Sequence, residues 1–167
     1  MIKVIFLDRD GTIIKDKKYL SMPEEVEFIN GVDIALKKFI YSGFQIIVIS
    51  NQSGVGRGYY KIEDVEKTNN RVKQELSDIS IPILAFYYCP HYIGSSMKKY
   101  NIKCDCRKPS PGLITRAAKD YNIDLNESFM IGDKESDVLT GINAGLKNSY
   151  LIDKDNDLLF YSELICN

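Results

Sequence analysis

The chain has 167 residues, of which 44% are hydrophobic, and this length and composition are typical of one globular domain. Its 22 lysines and arginines nearly balance its 23 aspartates and glutamates, so no overall field attracts nucleic acid or an anionic membrane. The apolar runs are too short to span a bilayer, and the N-terminal one meets Asp8 too soon for a signal peptide. We therefore expect a single domain over residues 1–167, cytoplasmic and monomeric, with no nucleic-acid or membrane partner.

Short apolar segments alternate with amphipathic segments along the chain. Apolar, β-branched runs predict strands, whereas apolar residues three and four positions apart predict helices. The predicted strands are residues 3–7, 44–49, 83–88, 128–131 and 149–152, and the predicted helices are residues 32–41, 62–76, 111–121 and 135–144. This alternation predicts an α/β fold, a Rossmann-like three-layer sandwich with helices on both faces of a mostly parallel sheet.

Residues whose side chains can act in catalysis or bind a metal follow four of the predicted strands. They are Asp8, Ser50, Cys89 and Asp133, after the first to the fourth strand respectively. Ligands of open parallel sheets bind beyond the carboxyl ends of the strands. The shared edge of the sheet is therefore the predicted location of a functional site.

The first motif is Asp8-Arg9-Asp10-Gly11-Thr12, directly after the first strand. Two carboxylates two residues apart in an extended segment point the same way, so one can attack phosphorus while the other protonates the leaving oxygen. Gly11 allows a sharp turn that offers backbone amides to an anion. Taken alone, the motif is also compatible with a strand-end turn that carries solvated acids.

Two further motifs fit the same chemistry, although each alone is also typical of a solvated loop. The hydroxyl of Ser50 and the amides of residues 50–54 could hold a phosphoryl oxygen. Lys108 could neutralise charge on the transferring group, and Arg107 could bind a substrate anion through two N–H groups.

The acidic motif after the fourth predicted strand indicates a metal site. Asp133 faces the end of the first strand, so Asp133 and Asp8 could hold Mg²⁺ through oxygen ligands. Such an ion would screen the repulsion between a carboxylate nucleophile and a phosphate dianion. Asp137 either supports this site or only places a negative charge at the start of a helix.

These motifs occur in the order that is typical of the phosphatases of the haloacid dehalogenase superfamily. The sequence resembles these phosphatases over nearly its whole length. The resemblance implies that Asp8 is the nucleophile and that Asp10 is the general acid and then the general base. It implies that Ser50 and Lys108 contact the phosphoryl group. It also implies Mg²⁺ held by Asp8, the backbone carbonyl of Asp10, and Asp133.

A second metal site is predicted from a cluster of soft ligands within 18 residues: Cys89, His91, Cys104 and Cys106. Three thiolates and one imidazole suit a closed, tetrahedral Zn²⁺ site, which is structural rather than catalytic. The ion would organise the loop of residues 89–106, hereafter the zinc loop. Free, reduced cysteines are the alternative, and Cys166 looks unconnected to the cluster.

The superfamily resemblance also bears on cap domains, which many members insert between the first and second or the second and third motifs. Residues 12–50 and 54–108 are too short to hold one beyond the predicted elements and the zinc loop. We therefore expect a capless fold with an open site, rimmed by the zinc loop and residues 16–19.

The zinc motif narrows the resemblance. Cys-Pro-His at residues 89–91 and Cys-Asp-Cys-Arg-Lys-Pro at residues 104–109 are similar to the D-glycero-D-manno-heptose 1,7-bisphosphate phosphatases, whose relatives are the histidinol-phosphatases. The twelve residues 92–103 match the longer, heptose-type loop. The resemblance implies a sugar bisphosphate that loses its phosphate at carbon 7, on the route to activated heptose for bacterial lipopolysaccharide. The implied sugar and phosphate contacts are Asp16, Lys17, Lys18, Tyr19, Asn51, Gln52, Ser53, Arg107 and Lys134.

Several alternatives stay open from the sequence alone. A histidinol-phosphate phosphatase or a broader sugar phosphatase would share the same motifs. A zinc-dependent binding module is suggested by the cysteine cluster only, and the near-neutral charge opposes nucleic-acid binding. An inactive scaffold is disfavoured because both acids of the first motif, Asp8 and Asp10, are present. The preference between the α and β anomers is not predicted.

Overall fold

The computed structural model describes residues 1–167 and contains five strands and six α-helices. The strands are β1 (Val4–Leu7), β2 (Gln45–Asn51), β3 (Ala85–Cys89), β4 (Phe129–Gly132) and β5 (Asn148–Leu151). The helices are α1 (Val32–Tyr41), α2 (Ser53–Gly56), α3 (Ile62–Asp78), α4 (Gly112–Tyr121), α5 (Glu135–Ala144) and α6 (Leu158–Cys166). None of these helices combines the length and the apolar character that crossing a bilayer requires.

The strands form one sheet in the order β3-β2-β1-β4-β5, and every neighbouring pair is parallel. Strand β1 is central, and Ile5 pairs with Ile46 on one side and with Phe129 on the other. All four residues of β1 are buried, as expected for a strand covered on both faces. The prediction of an α/β fold with a parallel sheet is confirmed.

Alternating side chains of the sheet pack into two separate hydrophobic cores, one on each face. Ile5 and Leu7 of β1 belong to a core of 20 buried residues that is shared with α1, α3 and α6. Val4 and Phe6 point to the other face, where 11 buried residues form a second core that includes three from α4. The result is the three-layer arrangement that buries both faces of a parallel sheet.

Helices α2 and α6 were not predicted, and several element ends differ from the predicted ones by one or two residues. The sequence of α6 is apolar on most sides and shows no narrow stripe. Strand β3 begins at Ala85 rather than at residue 83. Strand β2 continues through Asn51, two residues beyond the predicted end, because its pairing with β3 extends as far as Cys89. This extension carries Ser50 and Asn51 to the edge of the sheet on regular backbone.

Candidate active site

The carboxyl ends of the strands surround a cleft of about 550 Å³. The cleft brings together residues that are far apart in sequence, most of them polar or charged. They are Asp8, Asp10, Asp16, Lys18, Tyr19, Leu20, Asn51, Gln52, Ser53, Arg57, Tyr60, Arg107, Lys108, Lys134 and Ser136. This lining includes most of the residues predicted to bind substrate.

A buried lysine lies between two acids at the base of the cleft. Lys108 Nζ donates a hydrogen bond to Asp8 Oδ1 at 2.7 Å and lies 2.5 Å from Asp137 Oδ1. It also donates to the carbonyl oxygen of Ile49 at 3.2 Å. Burial opposes the charge on Lys108, but the carboxylates of Asp8 and Asp137 raise the pKa of Lys108 above its ordinary value. The ammonium group is therefore charged and held within reach of Asp8.

Asp137 has two roles that sequence analysis left as alternatives. One carboxylate oxygen pairs with Lys108, and the other accepts a hydrogen bond at 3.0 Å from the backbone N–H of Lys134, next to the first turn of α5. Burial raises the pKa of Asp137, whereas the charge of Lys108 lowers it. Asp137 thus fixes the position of Lys108 while it caps the helix.

Asn51 holds the backbone of the lysine segment. Its side-chain Nδ2 donates to the carbonyl oxygen of Lys108 at 3.2 Å, and its Oδ1 accepts from the N–H of Lys108 at 3.0 Å. These two hydrogen bonds orient Lys108 and leave one N–H of Nδ2 free, and Asn51 also lines the cleft. The Lys108–Pro109 peptide bond that follows is cis.

Asp133 lies opposite Asp8 and has an unsatisfied carboxylate. Its Oδ1 is buried and has no hydrogen-bond partner. Burial and the neighbouring charge of Asp8 raise the pKa of Asp133 from 3.8 to about 6. A Cβ atom on Gly11, whose φ is +90°, would lie 2.2 Å from Asp133 Oδ2, so glycine is what allows the first-motif loop to approach this carboxylate. One carboxylate oxygen from each of Asp8, Asp133 and Asp137 lies within 4.8 Å of the other two.

The second acid of the first motif is held by neighbouring side chains. Asp10 Oδ2 accepts a hydrogen bond from Gln52 Nε2 at 3.0 Å, and the side chain of Arg9 pairs with the same carboxylate. Gln52 Nε2 also donates to Ser50 Oγ at 3.2 Å, and Tyr60 donates its hydroxyl hydrogen to Gln52 Oε1 at 2.8 Å. Burial raises the pKa of Tyr60 to about 12, so the phenol stays a donor. Gln52, which was predicted to bind substrate, lines the cleft, and both of its side-chain N–H groups are engaged with protein groups.

The rim segment of residues 16–19 contributes three of its four predicted residues to the cleft: Asp16, Lys18 and Tyr19. Lys17 does not line the cleft, because its ammonium group turns towards Glu27, with 3.5 Å between Nζ and Oε2. Across the cleft, Lys134 Nζ lies 3.6 Å from Asp16 Oδ2. Burial opposes the charge on Lys134, but nearby carboxylates, led by that of Asp8, raise the pKa of Lys134.

Four residues that line the cleft were not predicted from the sequence: Leu20, Arg57, Tyr60 and Ser136. The guanidinium carbon of Arg57 lies 3.7 Å from the ring centre of Tyr92 in the zinc loop. A Cβ atom on Gly54 would lie 2.2 Å from the ring of Tyr60, so this glycine makes room for the tyrosine. The glycines after β2, such as Gly54, indicated a close approach of other side chains to this turn. They do not reveal which later side chains pack against it.

The four predicted zinc ligands form a compact cluster next to the cleft, with their ligand atoms within 4.8 Å of one another. Cys89 Sγ lies 3.6 Å from Cys104 Sγ, and His91 Nδ1 lies 3.2 Å from Cys106 Sγ. Hydrogen bonding with Cys89 and burial raise the pKa of the Cys106 thiol. Three sulfurs and one ring nitrogen form the donor set of closed metal sites, so the cluster fits a bound metal. Cys166 lies outside the cluster.

The metal-ligand cluster adjoins the residues that line the cleft. Arg107 and Lys108 directly follow Cys106 in the sequence, and Arg107 Nη1 donates to the carbonyl oxygen of His91 at 3.4 Å. The zinc loop also contacts α2, where the N–H of Gly56 donates to the carbonyl oxygen of Pro90 at 3.0 Å. The zinc loop therefore contacts the side chain of Arg107 directly.

Comparison with known proteins identifies a family of phosphatases. The family model described as polynucleotide kinase 3 phosphatase matches residues 3–157. The chain is 40% identical over 151 residues to the D-glycero-alpha-D-manno-heptose-1,7-bisphosphate 7-phosphatase of Photorhabdus laumondii, covering 90% of this chain and 82% of the relative. It is 42% identical over 151 residues to the D-glycero-beta-D-manno-heptose-1,7-bisphosphate 7-phosphatase of Helicobacter pylori, covering 90% and 83%.

A solved structure shares the fold over nearly the full length of both chains. It is the D,D-heptose 1,7-bisphosphate phosphatase from B. bronchiseptica complexed with magnesium and phosphate. The TM-score is 0.82 at 23% sequence identity, and the alignment covers 98% of each chain. At this identity the match shows the fold, and it shows that a protein with this fold binds magnesium together with phosphate.

Proposed function

We propose, because this chain belongs to the heptose-bisphosphate phosphatases of the haloacid dehalogenase superfamily, that it removes the carbon-7 phosphate of D-glycero-D-manno-heptose 1,7-bisphosphate. The observation that carries the proposal is the pairing of buried Asp8 with Lys108 at the base of a polar cleft. A carboxylate beside a buried cation and below an open cleft is placed to attack an incoming phosphoryl group. We infer that the enzyme acts in the cytoplasm as a monomer.

The chemistry would proceed in two displacements. Asp8 attacks phosphorus while Asp10 gives a proton to the leaving sugar oxygen, which forms an aspartyl-phosphate and releases the sugar. Water then attacks the aspartyl-phosphate, gives a proton to Asp10, and releases inorganic phosphate and free Asp8. Lys108 Nζ and Ser50 Oγ would hold the phosphoryl oxygens, and Lys108 already lies 2.7 Å from Asp8 Oδ1.

The acids at the base of the cleft fit a divalent cation. Asp133 Oδ1 is buried without a partner, and Asp133 and Asp8 repel each other. Asp137 is already paired with Lys108, so we assign the ion to the carboxylates of Asp8 and Asp133 and to the backbone carbonyl of Asp10. When bound, Mg²⁺ would offset the repulsion between Asp8 and the phosphate dianion. The cysteine-histidine cluster would hold Zn²⁺ with a structural role.

The cations around the cleft are suited to the sugar and its second phosphate. Arg107, Lys18 and Lys134 all line the cleft, and Ser53 adds a hydroxyl group. Arg57 adds a further guanidinium that the sequence did not indicate. We therefore assign the phosphate that is not transferred to this group of cations.

A phosphate-release panel tests the substrate. We expect kcat/KM for the heptose bisphosphate to exceed that for histidinol phosphate by at least about 100-fold, because only the bisphosphate engages the second group of cations. The panel should include both anomers, since relatives named for each match this chain almost equally well. A higher kcat/KM with histidinol phosphate would contradict the proposed substrate while leaving the phosphatase chemistry in place.

Asp133→Asn tests the metal assignment through stability as well as activity. Folding raises the pKa of Asp133 from 3.8 to about 6, so the folded chain binds this proton more tightly than the unfolded chain. In metal-free buffer, the ionised carboxylate therefore destabilises the fold as pH rises from about 4 to 6, and the loss persists at pH 7.5. We expect Asp133→Asn to be about 1–2 kcal/mol more stable than wild type at pH 7.5, but not at pH 4.

The same substitution should lower kcat/KM at least about 100-fold and remove the rise in Tm that Mg²⁺ produces in wild type. The measurements are thermal unfolding in EDTA and in Mg²⁺ at both pH values. Asp155→Asn, on an exposed loop, is the matched control. An Asp133→Asn protein that keeps a wild-type response to Mg²⁺ would refute the assignment.

A further inference from the structure

The buried guanidinium of Arg9 has no role in the chemistry described so far. Arg9 is only 1% exposed and is the largest fully buried side chain in the protein. An arginine is always charged, and burying an unpaired charge costs several kcal/mol. A chain that places arginine at this position therefore needs specific partners for it, and those partners show what the residue does.

Both ends of the guanidinium are fixed. Nη1 donates to Asn69 Oδ1 at 2.8 Å, and Asn69 is itself a buried residue on α3. On the other side, Nε donates to Asp10 Oδ2 at 3.0 Å, while Nη2 lies 3.0 Å from the same oxygen and 3.3 Å from Asp10 Oδ1. Arg9 thus links helix α3 to the carboxylate of Asp10.

The two oxygens of Asp10 are not equivalent in this arrangement. Oδ2 lies 3.0 Å from both Nε and Nη2 of Arg9, and it also accepts a hydrogen bond from Gln52 Nε2 at 3.0 Å. The hydroxyl of Tyr60 donates to Gln52 Oε1, which fixes the Gln52 amide with its nitrogen towards Asp10. Oδ1 accepts a single, longer hydrogen bond, from Arg9 Nη2 at 3.3 Å. The two lone-pair sites of Oδ2 are filled by N–H donors, whereas Oδ1 keeps one site open, so Oδ1 is the oxygen that can carry a proton.

We propose that Arg9, anchored by Asn69, is a positioning residue that selects Asp10 Oδ1 as the proton-carrying oxygen. In the first displacement, the proton moves from Oδ1 to the sugar oxygen as its bond to phosphorus breaks. In the second, water gives a proton to Oδ1 while its oxygen bonds to phosphorus and the bond from phosphorus to Asp8 breaks. The inference rests on the proposed function of Asp10 as general acid and base.

Comparing two leaving groups separates positioning of the acid from support of the fold. A sugar alkoxide leaves slowly unless it is protonated, whereas 4-nitrophenolate leaves without protonation. With either substrate, kcat/KM reports only the steps up to release of this leaving group. Loss of a well-placed acid should therefore lower kcat/KM for the heptose bisphosphate and spare kcat/KM for 4-nitrophenyl phosphate.

Arg9→Met should lower kcat/KM for the heptose bisphosphate about 100-fold and change that for 4-nitrophenyl phosphate less than about threefold. The loss should fall on kcat rather than on KM, because Arg9 does not line the cleft. Arg9→Lys should not restore the rate, since an ammonium group cannot contact Asp10 and Asn69 as a fork does. Asn69→Ala, which keeps the Arg9–Asp10 pair, should show the same selectivity at about a tenfold loss.

Asp10→Asn sets the largest selectivity that the acid can produce. Arg71→Met and Asn70→Ala, both exposed on α3, are the matched controls, and thermal unfolding follows the fold of every variant. If Asp10→Asn is selective but Arg9→Met and Asn69→Ala slow both substrates equally, the positioning inference is overturned and the proposed function stands. If Asp10→Asn itself shows no selectivity, the proposed role of Asp10 as general acid is contradicted, and the positioning inference that depends on it is contradicted too. Should Arg9→Met not fold, Asn69→Ala decides.

Discussion

Replacing Asp8 with asparagine is expected to lower kcat at least about 10⁴-fold while leaving the fold and phosphate binding intact. An amide cannot form the acyl-phosphate, so the first displacement is lost rather than slowed. The fold should tolerate the change because Lys108 keeps Asp137 as a partner at 2.5 Å. Burial and the charge of Asp8 raise the pKa of Asp133, and the variant removes that charge and its repulsion of Asp133, so we expect no loss of thermal stability.

Acid quenching after a brief exposure to labelled substrate tests the same substitution directly. Wild type should retain label on Asp8, and Asp8→Asn should retain none. Asp155→Asn, an equal change of charge on an exposed loop, should behave as wild type. Turnover or retained label in Asp8→Asn would exclude Asp8 as the nucleophile, whereas a Tm far below wild type would mean that Asp8 is mainly structural.

The placement of the reacting groups could be predicted because it depends on strand ends. Asp8, Ser50, Cys89 and Asp133 each lie at or just beyond the carboxyl end of a parallel strand, and in the sheet these strands are consecutive neighbours. Parallel strands direct all their carboxyl ends to one edge, so short apolar runs were enough to bring these four residues together. No knowledge of side-chain packing was needed.

The direction of individual side chains could not be predicted in the same way. Lys17 and Lys18 are neighbours of the same type, yet only Lys18 lines the cleft, because Glu27 pairs with Lys17. Gln52 lies in a predicted binding loop, but a hydrogen bond from Tyr60 turns its amide towards Asp10. These outcomes depend on partners distant in sequence, which local spacing does not reveal.

Helix α6 shows a different limit of sequence analysis. Its residues Leu158–Cys166 are apolar on most sides, so neither helical nor strand periodicity is visible. The start of the helix did carry a signal, since Asp157 accepts a hydrogen bond at 2.8 Å from the N–H of Phe160, as an N-cap does. The helix is fixed by burial of Leu158 and Tyr161 in the larger core, a tertiary effect.

Disrupting the zinc loop is expected to affect stability and substrate binding more than the chemical step. Cys104→Ser removes one of four ligands from the cysteine-histidine cluster, so we expect bound zinc to be lost and the free energy of unfolding to fall by about 3 kcal/mol or more. KM should rise about tenfold, because Arg107 directly follows the cluster and contacts the carbonyl oxygen of His91. Cys166→Ser, outside the cluster, is the control.

The position of Lys108 should not change when the metal is lost. Lys108 is one residue further along the chain, but both hydrogen bonds of the Asn51 amide hold its backbone, and Asp8 and Asp137 hold its ammonium group. We therefore expect kcat for Cys104→Ser to stay within about threefold of wild type, measured below the Tm of the variant with zinc content determined in parallel. A zinc-free variant of unchanged stability would show that the cluster is not a structural metal site. A large fall in kcat with unchanged KM would instead show that the zinc loop is needed to position Lys108 and that the hydrogen bonds of Asn51 are not sufficient.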